Sequence, residues 1–267
     1  MSQNLQPKVQ TAGLRGSHVL VTGAGTGIGR AIAERLAREG AVLSLLARDA
    51  ARLEGVADSQ GAPKPFVAAC DIRDRAATAR AVERACRVHG PLYAAVANSG
   101  IGGSNEPGEG DRFDDLVATN LTGTYNTLRA AQAHLMPAKN GRRHLLATAS
   151  ILARIGVAGY TGYCASKAGI TGLVRALAAE LAGEGVQVNA IAPGWVNTDM
   201  AWEGIDGIAK GTGSTQKEAY QMAMSDVPLG CMGEPEQVAG LVAYLLGPDA
   251  LGTTGQCIDM NGGAFMH

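Results

Sequence analysis

His18-Val-Leu-Val-Thr22-Gly23-Ala-Gly-Thr26-Gly27-Ile28-Gly29-Arg30 is the stretch on which the fold turns. Five residues, His18 to Thr22, form a short apolar run of the kind that makes a buried strand. Glycines then stand at 23, 25, 27 and 29. From Arg30 the apolar residues Ile32 and Leu36 fall at helical spacing, and the pattern stops at Gly40, a suitable C-cap. A strand, a glycine turn and a helix in that order suit a phosphate. Glycine lets the backbone approach closely, while the helix N-terminus presents unpaired N–H groups at a positive dipole end. The same residues could close a merely tight turn, but the flanking strand and helix supply the context that phosphate binding requires.

Outward from this unit the chain alternates between apolar runs and helical patterns. Strands are expected at 41–47, 66–70, 92–97, 144–148, 186–191 and 256–260, and helices at 74–89, 111–136, about 160–182 and 235–246. Residues 1–14 are polar and aperiodic and read as a flexible tail. Residues 199–227 are polar, contain glycine and are only weakly periodic. Alternation of this kind predicts an α/β fold: one Rossmann-type, doubly wound parallel sheet of about seven strands with helices on both faces, spanning 15–267. Second-strand residues Ala47-Arg48-Asp49 bear on the cofactor. An acidic residue ending that strand would hold a ribose 2′-OH, whereas an arginine there accommodates a 2′-phosphate. Ala47 holds the end position and Arg48 follows, which favours NADP over NAD; Asp49 is read as a cap for the next helix.

Composition sets the outer bounds. In 267 residues, 46% hydrophobic and 18% charged content provides for a large core, but only 4% is aromatic, so aliphatic side chains must fill it. A net charge of −1 gives no electrostatic case for nucleic acid or a membrane surface. Five cysteines at 70, 86, 164, 231 and 257 lack metal-ligand spacing and read as reduced, buried thiols of a cytoplasmic protein. The histidines (18, 89, 134, 144, 267) are dispersed, so no metal site is expected. No apolar run approaches about 18 residues, and no signal pattern opens the chain.

Tyr163-Cys-Ala-Ser-Lys167 places a phenol and an ammonium four residues apart. On a helix both project from one face, and a nearby ammonium lowers a phenol's pKa toward useful general acid–base chemistry. Alone, the pair is equally a polar patch on an amphipathic helix.

Taken together, Thr22-Gly-x-x-x-Gly27-x-Gly29, Asp71, Asn98 in its turn, Asn120, Ser150, Tyr163-x-x-x-Lys167 and Pro193-Gly194 resemble the short-chain dehydrogenase/reductase family over about residues 15–263. The resemblance implies a nicotinamide cofactor and assigns roles. Tyr163 would be the general acid, Lys167 would lower its pKa and bind the nicotinamide ribose, and Ser150 would bond the substrate oxygen. Asn120 would support a water-linked relay to Lys167. Cofactor contacts would come from Gly23, Thr26, Gly27, Ile28, Gly29, Arg48, Asp71 and Ile72 at the adenosine and diphosphate end. Asn98, Gly100, Pro193, Gly194, Val196 and Thr198 would serve the nicotinamide end. Leu152, Tyr160, Trp195 and Trp202 would line the substrate site. Ser99 stands where the family commonly has alanine, adding a hydroxyl near the cofactor. A homotetramer is also implied, with Ala130, Ala131, Leu135, Leu173, Leu177, Ala178 and Leu181 read as subunit-facing.

The segment at 199–227 lies where this family places its substrate lid. Its Trp202, Ile205, Ile208, Tyr220, Met222 and Met224 suit a partly apolar ketone or acyl thioester better than a sugar. The nearest resemblance is to 3-oxoacyl-thioester reductases and polyketide ketoreductases. Carrier-protein reductases with a basic residue before the helix glutamate carry arginine there; Ala179 precedes Glu180 here, favouring a CoA thioester or a free ketone. A small-alcohol dehydrogenase, and a dinucleotide-binding sensor without turnover, stay open as alternatives.

Overall fold

The computed structural model describes residues 13–58 and 64–266. Seven strands form one parallel sheet in the order β3-β2-β1-β4-β5-β6-β7. They are β1 (His18–Thr22), β2 (Val42–Ala47), β3 (Phe66–Ala69), β4 (Ala94–Ala97), β5 (Arg143–Thr148), β6 (Val186–Pro193) and β7 (Cys257–Met260). The helices are α1 (Gly27–Arg38), α2 (Ala51–Asp58), α3 (Arg75–His89), α4 (Phe113–Val117), α5 (Gly123–Gln132), α6 (Thr161–Leu181), α7 (Asp199–Thr212), α8 (Gln216–Ser225) and α9 (Pro235–Leu246).

Two cores result from the pleat of the strands. Val19, Val21, Leu43 and Leu45 face α1 and α9, while Leu20, Leu46, Ala95 and Ala97 face α3, α5 and α6. Both faces are covered, which is why the strands read as continuous apolar runs. The order reverses between β1 and β4, opening a crevice at the carboxyl ends of the strands where this architecture binds ligands.

Several expectations need correction. Most of the expected tail, residues 1–12, lies outside the described residues, but Leu14 is buried in the core beside α1. Leu92 does not open β4. It pairs with Leu135 instead, taking the His134 carbonyl and giving its own to Met136, so β4 starts at Ala94 and the helix expected over 111–136 ends by Gln132. That helix is also interrupted by a π-turn at Ala118–Thr122. An inserted residue of this kind frees backbone groups from the regular ladder, and the Thr124 hydroxyl takes the Asn120 carbonyl at 2.6 Å. The 199–227 segment is two helices. Thr198 caps α7, Gly213 ends it at φ +66°, and Thr215 with Glu218 forms a capping box for α8.

Ala131, Leu177, Ala178 and Leu181 are buried inside the chain, so they fill its own core and make no outer face. Nor are the thiols all buried: Cys70 is, Cys231 is exposed, and all five are free.

Candidate active site

The carboxyl ends of β1, β4 and β5 are laced together by polar side chains. The Thr22 hydroxyl accepts the Asn98 and Ser99 amides, each at 3.1 Å. Asn98 donates to the Gly23 carbonyl at 3.5 Å and accepts the Thr148 hydroxyl at 3.1 Å. The turn after β4 therefore persists with Ser99 in place, held by bonds to its backbone. Gly23 has φ +67°, and a Cβ there would lie 2.9 Å from Ser99 Cα. At Gly29 a Cβ would lie 2.0 Å from the Gly23 carbonyl oxygen, an impossible contact.

These glycines leave a backbone-walled cradle at the start of α1. Thr26 caps that helix without a side-chain bond, and no acidic residue stands in its first turn. The amides of Gly27, Ile28 and Gly29 therefore present a positive helix end that suits a phosphate group. The start of α7 approaches the same point, with Thr198 Cγ2 3.1 Å from where a Gly27 side chain would begin. The residues present thus fit a dinucleotide diphosphate.

Beyond the cradle, Asp49 accepts the Ala51 amide at 3.0 Å and caps α2, as expected. Arg48 is exposed, and its charge helps hold the Asp71 carboxyl below the usual range, though the Arg73 hydrogen bond does most of this. Arg73 grips Asp71 with contacts of 2.6–3.1 Å and reaches Asp115 at 2.8 Å. Arg52, which the sequence did not single out, packs its Cβ 3.0 Å from the Gly25 side-chain position and pairs with Asp49 at 3.4 Å. The start of α2 therefore borders the glycine turn, with the Arg52 guanidinium turned to Asp49.

At the other end, Ser150 leaves β5 in extended conformation and accepts the Leu152 amide at 3.2 Å. Lys167, 4% exposed, donates to the Thr148 carbonyl at 2.8 Å. Burial pushes its pKa down to about 8. Its ammonium lies 5.6 Å from the Tyr163 ring centroid. The expectation that Lys167 lowers the Tyr163 pKa is not met in this state of the protein. Burial raises the phenol above its ordinary value, the Ser150 hydrogen bond pulls it back, and Cys164 and Tyr160 add to the rise. Burial is the largest of these effects.

Asn120 sits at the π-turn, fully buried. Its carboxamide accepts the Ile101 amide at 2.8 Å and donates to the Ile101 carbonyl at 3.0 Å and to Ser166 at 3.2 Å. Gly100 lies against both Asn120 and Lys167, at 3.1 and 3.6 Å from its Cβ position. Asn120 thus fixes the wall of the site through its side chain.

The residues expected to line a substrate divide. Leu152 and Tyr160 are half-buried around Ser150 and at the start of α6. Trp195 and Trp202 belong to the small core of the α7–α8 unit. Trp202 stacks on Tyr220 with centroids 5.6 Å apart and donates to Asn197 at 2.8 Å, while Trp195 lies against Gly204. Their indoles tie α7 and α8 together. Met200, at the start of α7, meets Gly102 across the mouth. Pro193 ends β6, Gly194 donates to the Met260 carbonyl at 3.0 Å, and Val196 is buried and bridged to Gly233.

Comparisons with known proteins agree with this geometry. A family model described as enoyl-(acyl carrier protein) reductase matches residues 23–264. A 3-oxoacyl-[acyl-carrier-protein] reductase of Vibrio harveyi is 34% identical, covering 95% of this chain and 99% of the relative. A (3R)-3-hydroxyacyl-CoA dehydrogenase of Mus musculus is 36% identical, covering 95% and 98%. Among solved structures, a variant of actinorhodin polyketide ketoreductase with NADPH superposes with a TM-score of 0.87 at 32% identity, covering 93% of this chain and 97% of that one. With the glycine cradle, the Ser150–Tyr163–Lys167 cluster and these matches over nearly the whole chain, the protein belongs to the short-chain dehydrogenase/reductase family, whose members bind a nicotinamide cofactor.

Proposed function

We propose that this protein is an NADP(H)-dependent reductase of a 3-oxoacyl thioester or a medium-sized, partly apolar ketone, working in the cytoplasm on a freely diffusing substrate. The observation that carries this reading is the gathering of Ser150, the half-buried Tyr163 and the buried Lys167, whose ammonium lies 5.6 Å from the Tyr163 ring, at the carboxyl end of the sheet beside the glycine cradle. When bound, the reduced cofactor supplies the hydride that the carbonyl carbon accepts.

Ser150 donates to the substrate oxygen and orients it toward Tyr163. As negative charge develops on that oxygen, the phenol delivers its proton there, so ketone, hydride and proton together give the secondary alcohol. The phenol is protonated at neutral pH and so carries the proton that the substrate oxygen needs. The Lys167 ammonium stabilises the phenolate left behind. Asn120 keeps Ile101 and Gly100 in register around that proton path. Arg48 and Arg52 would meet the 2′-phosphate, and Asp71 with Ile72 the adenosine.

Support for the substrate class comes from the 3-oxoacyl and 3-hydroxyacyl relatives and the polyketide ketoreductase neighbour. Ala179 stands before Glu180 where carrier-protein reductases of that pattern carry arginine, which favours CoA or free substrates over a carrier protein. The test follows NADPH consumption with short 3-oxoacyl-CoA thioesters and a panel of apolar ketones. Turnover with NADPH is expected; no turnover with any of them overturns the reading.

A further inference from the structure

We propose that Asn105 is a positioning residue for Tyr163, locking the first turn of α6 to the loop that walls the substrate site. The proposal rests on the assignment of Tyr163 as the acid. Tyr160, the residue at the N-cap of α6, makes no side-chain cap bond. Asn105, more than fifty residues earlier and 6% exposed, supplies the cap from outside the helix. Its carboxamide oxygen accepts the Gly162 amide at 2.8 Å and the Thr161 hydroxyl at 3.2 Å. Its nitrogen donates to Thr161 at 3.0 Å and to Asp111 at 3.0 Å. Its own amide donates to the Gly159 carbonyl at 2.8 Å.

The knot joins three segments one residue before the phenol. Asp111 also accepts the Phe113 amide at 2.9 Å, so the same carboxylate starts α4, which packs on α6. Gly162 permits the approach: a Cβ there would lie 3.0 Å from Phe113 Cα and 3.3 Å from the Asn105 oxygen. The loop carrying Asn105 begins at Ile101, where Asn120 holds both backbone groups. It is thus tied at one end to the π-turn and at the other to the Tyr163 helix.

Only a carboxamide meets the demands of the site. It must accept from a backbone N–H and donate to a carboxylate at once, which an ionised aspartate cannot do. An uncapped first turn frays, and a phenol on that turn then loses its distance to Ser150. Displacement of a reacting group by about 1 Å can cost on the order of a hundredfold in rate.

The test compares Asn105→Ala, Asn105→Asp and the exchange Asn105→Asp/Asp111→Asn, which restores the acceptor for Gly162 and the donor-acceptor pair with their places swapped. kcat for alcohol oxidation is measured against pH, with NADPH affinity followed by fluorescence and the folded fraction by circular dichroism. Asn105→Ala is expected to lower kcat roughly tenfold or more with cofactor affinity within about twofold. Because the Ser150 hydrogen bond lowers the Tyr163 pKa against burial, Cys164 and Tyr160, its loss should also move the pH midpoint upward. Lys167 faces the same phenol and is unchanged in every variant. The exchange should recover kcat and midpoint, and Asn105→Asp alone should not. A fall in kcat that tracks the folded fraction without a midpoint shift, kcat within about twofold of wild type, or no recovery in the exchange overturns the proposal. Tyr163→Phe run alongside separates the two claims: if it is inactive while Asn105→Ala is normal, only the positioning role fails, and if it is active, the acid assignment fails and takes this proposal with it.

Discussion

Replacing Gly29 by alanine should damage cofactor binding far more than a single methyl group suggests. The added Cβ would lie 2.0 Å from the Gly23 oxygen, 2.5 Å from Asn98 Nδ2 and 2.7 Å from the Gly23 carbonyl carbon. All are well inside van der Waals contact, and two belong to backbone that cannot swing aside. The strand–helix turn must therefore open, moving the first-turn amides of α1 away from the diphosphate position. Overpacking of this kind costs about 1–3 kcal/mol, and displaced amides weaken an anion site, so NADPH affinity should fall roughly ten- to a hundredfold. The assay is fluorescence titration of NADPH together with a thermal melt. Gly172→Ala provides the control. That glycine is interior to α6 with nothing within 4 Å of its Cβ position, and alanine there should stabilise by about 0.5–1 kcal/mol. If Gly29→Ala binds NADPH within twofold of wild type and melts with it, the close-approach reasoning is wrong.

Arg48→Ala should lower NADPH affinity by roughly ten- to a hundredfold while barely altering NADH, since a charge-assisted bond is worth about 1.5–3 kcal/mol; equal use of NADH by the wild type in kcat/KM measurements defeats the NADP assignment. Stability should fall in acid. His18 and His144 are buried, with pKa values lowered from 6.5 to about 4 by desolvation. Protonation therefore favours the unfolded chain, so their contribution is complete above about pH 6.5 and is lost as pH falls toward 4, by up to about 3 kcal/mol each. Urea titrations from pH 7 to 4 check this, and a flat midpoint contradicts it. Assembly as a homotetramer, which the family resemblance implies, is checked by light scattering, where a monomer mass at micromolar concentration excludes it.

Much of the fold was legible because interior parallel strands cannot alternate in polarity. The runs at β1, β2 and β5 are mostly apolar without alternation, so their existence and order follow from local sequence. Errors arose where distant residues decide. Nothing local shows that Leu92 pairs with Leu135 rather than extending β4. An inserted residue in a π-turn hardly disturbs the apolar spacing on either side, so Asn120 read as mid-helix. Glycines at 204, 207, 211 and 213 obscured two capped helices, although Thr215 and Glu218 form a visible capping box.

That Ser150, Tyr163 and Lys167 gather at one place was legible from the family resemblance, but the electrostatics were not. Burial, which raises the Tyr163 pKa and lowers that of Lys167, is a property of the packed protein. Asn105 could not be found locally, because its partners Thr161 and Gly162 lie 56 and 57 residues away. Trp195 and Trp202 were expected at the substrate site, and nothing local shows that both also pack, half-buried, against the α7–α8 core.

The most direct test of the account is Tyr163→Phe, which removes one hydroxyl while keeping the ring. Single-turnover and steady-state rates with a reactive ketone, measured beside NADPH affinity, separate chemistry from binding. Loss of a positioned acid should lower kcat by 10²–10⁴-fold with NADPH affinity within about twofold. A variant that keeps more than about a tenth of wild-type kcat contradicts the claim that this phenol delivers the proton.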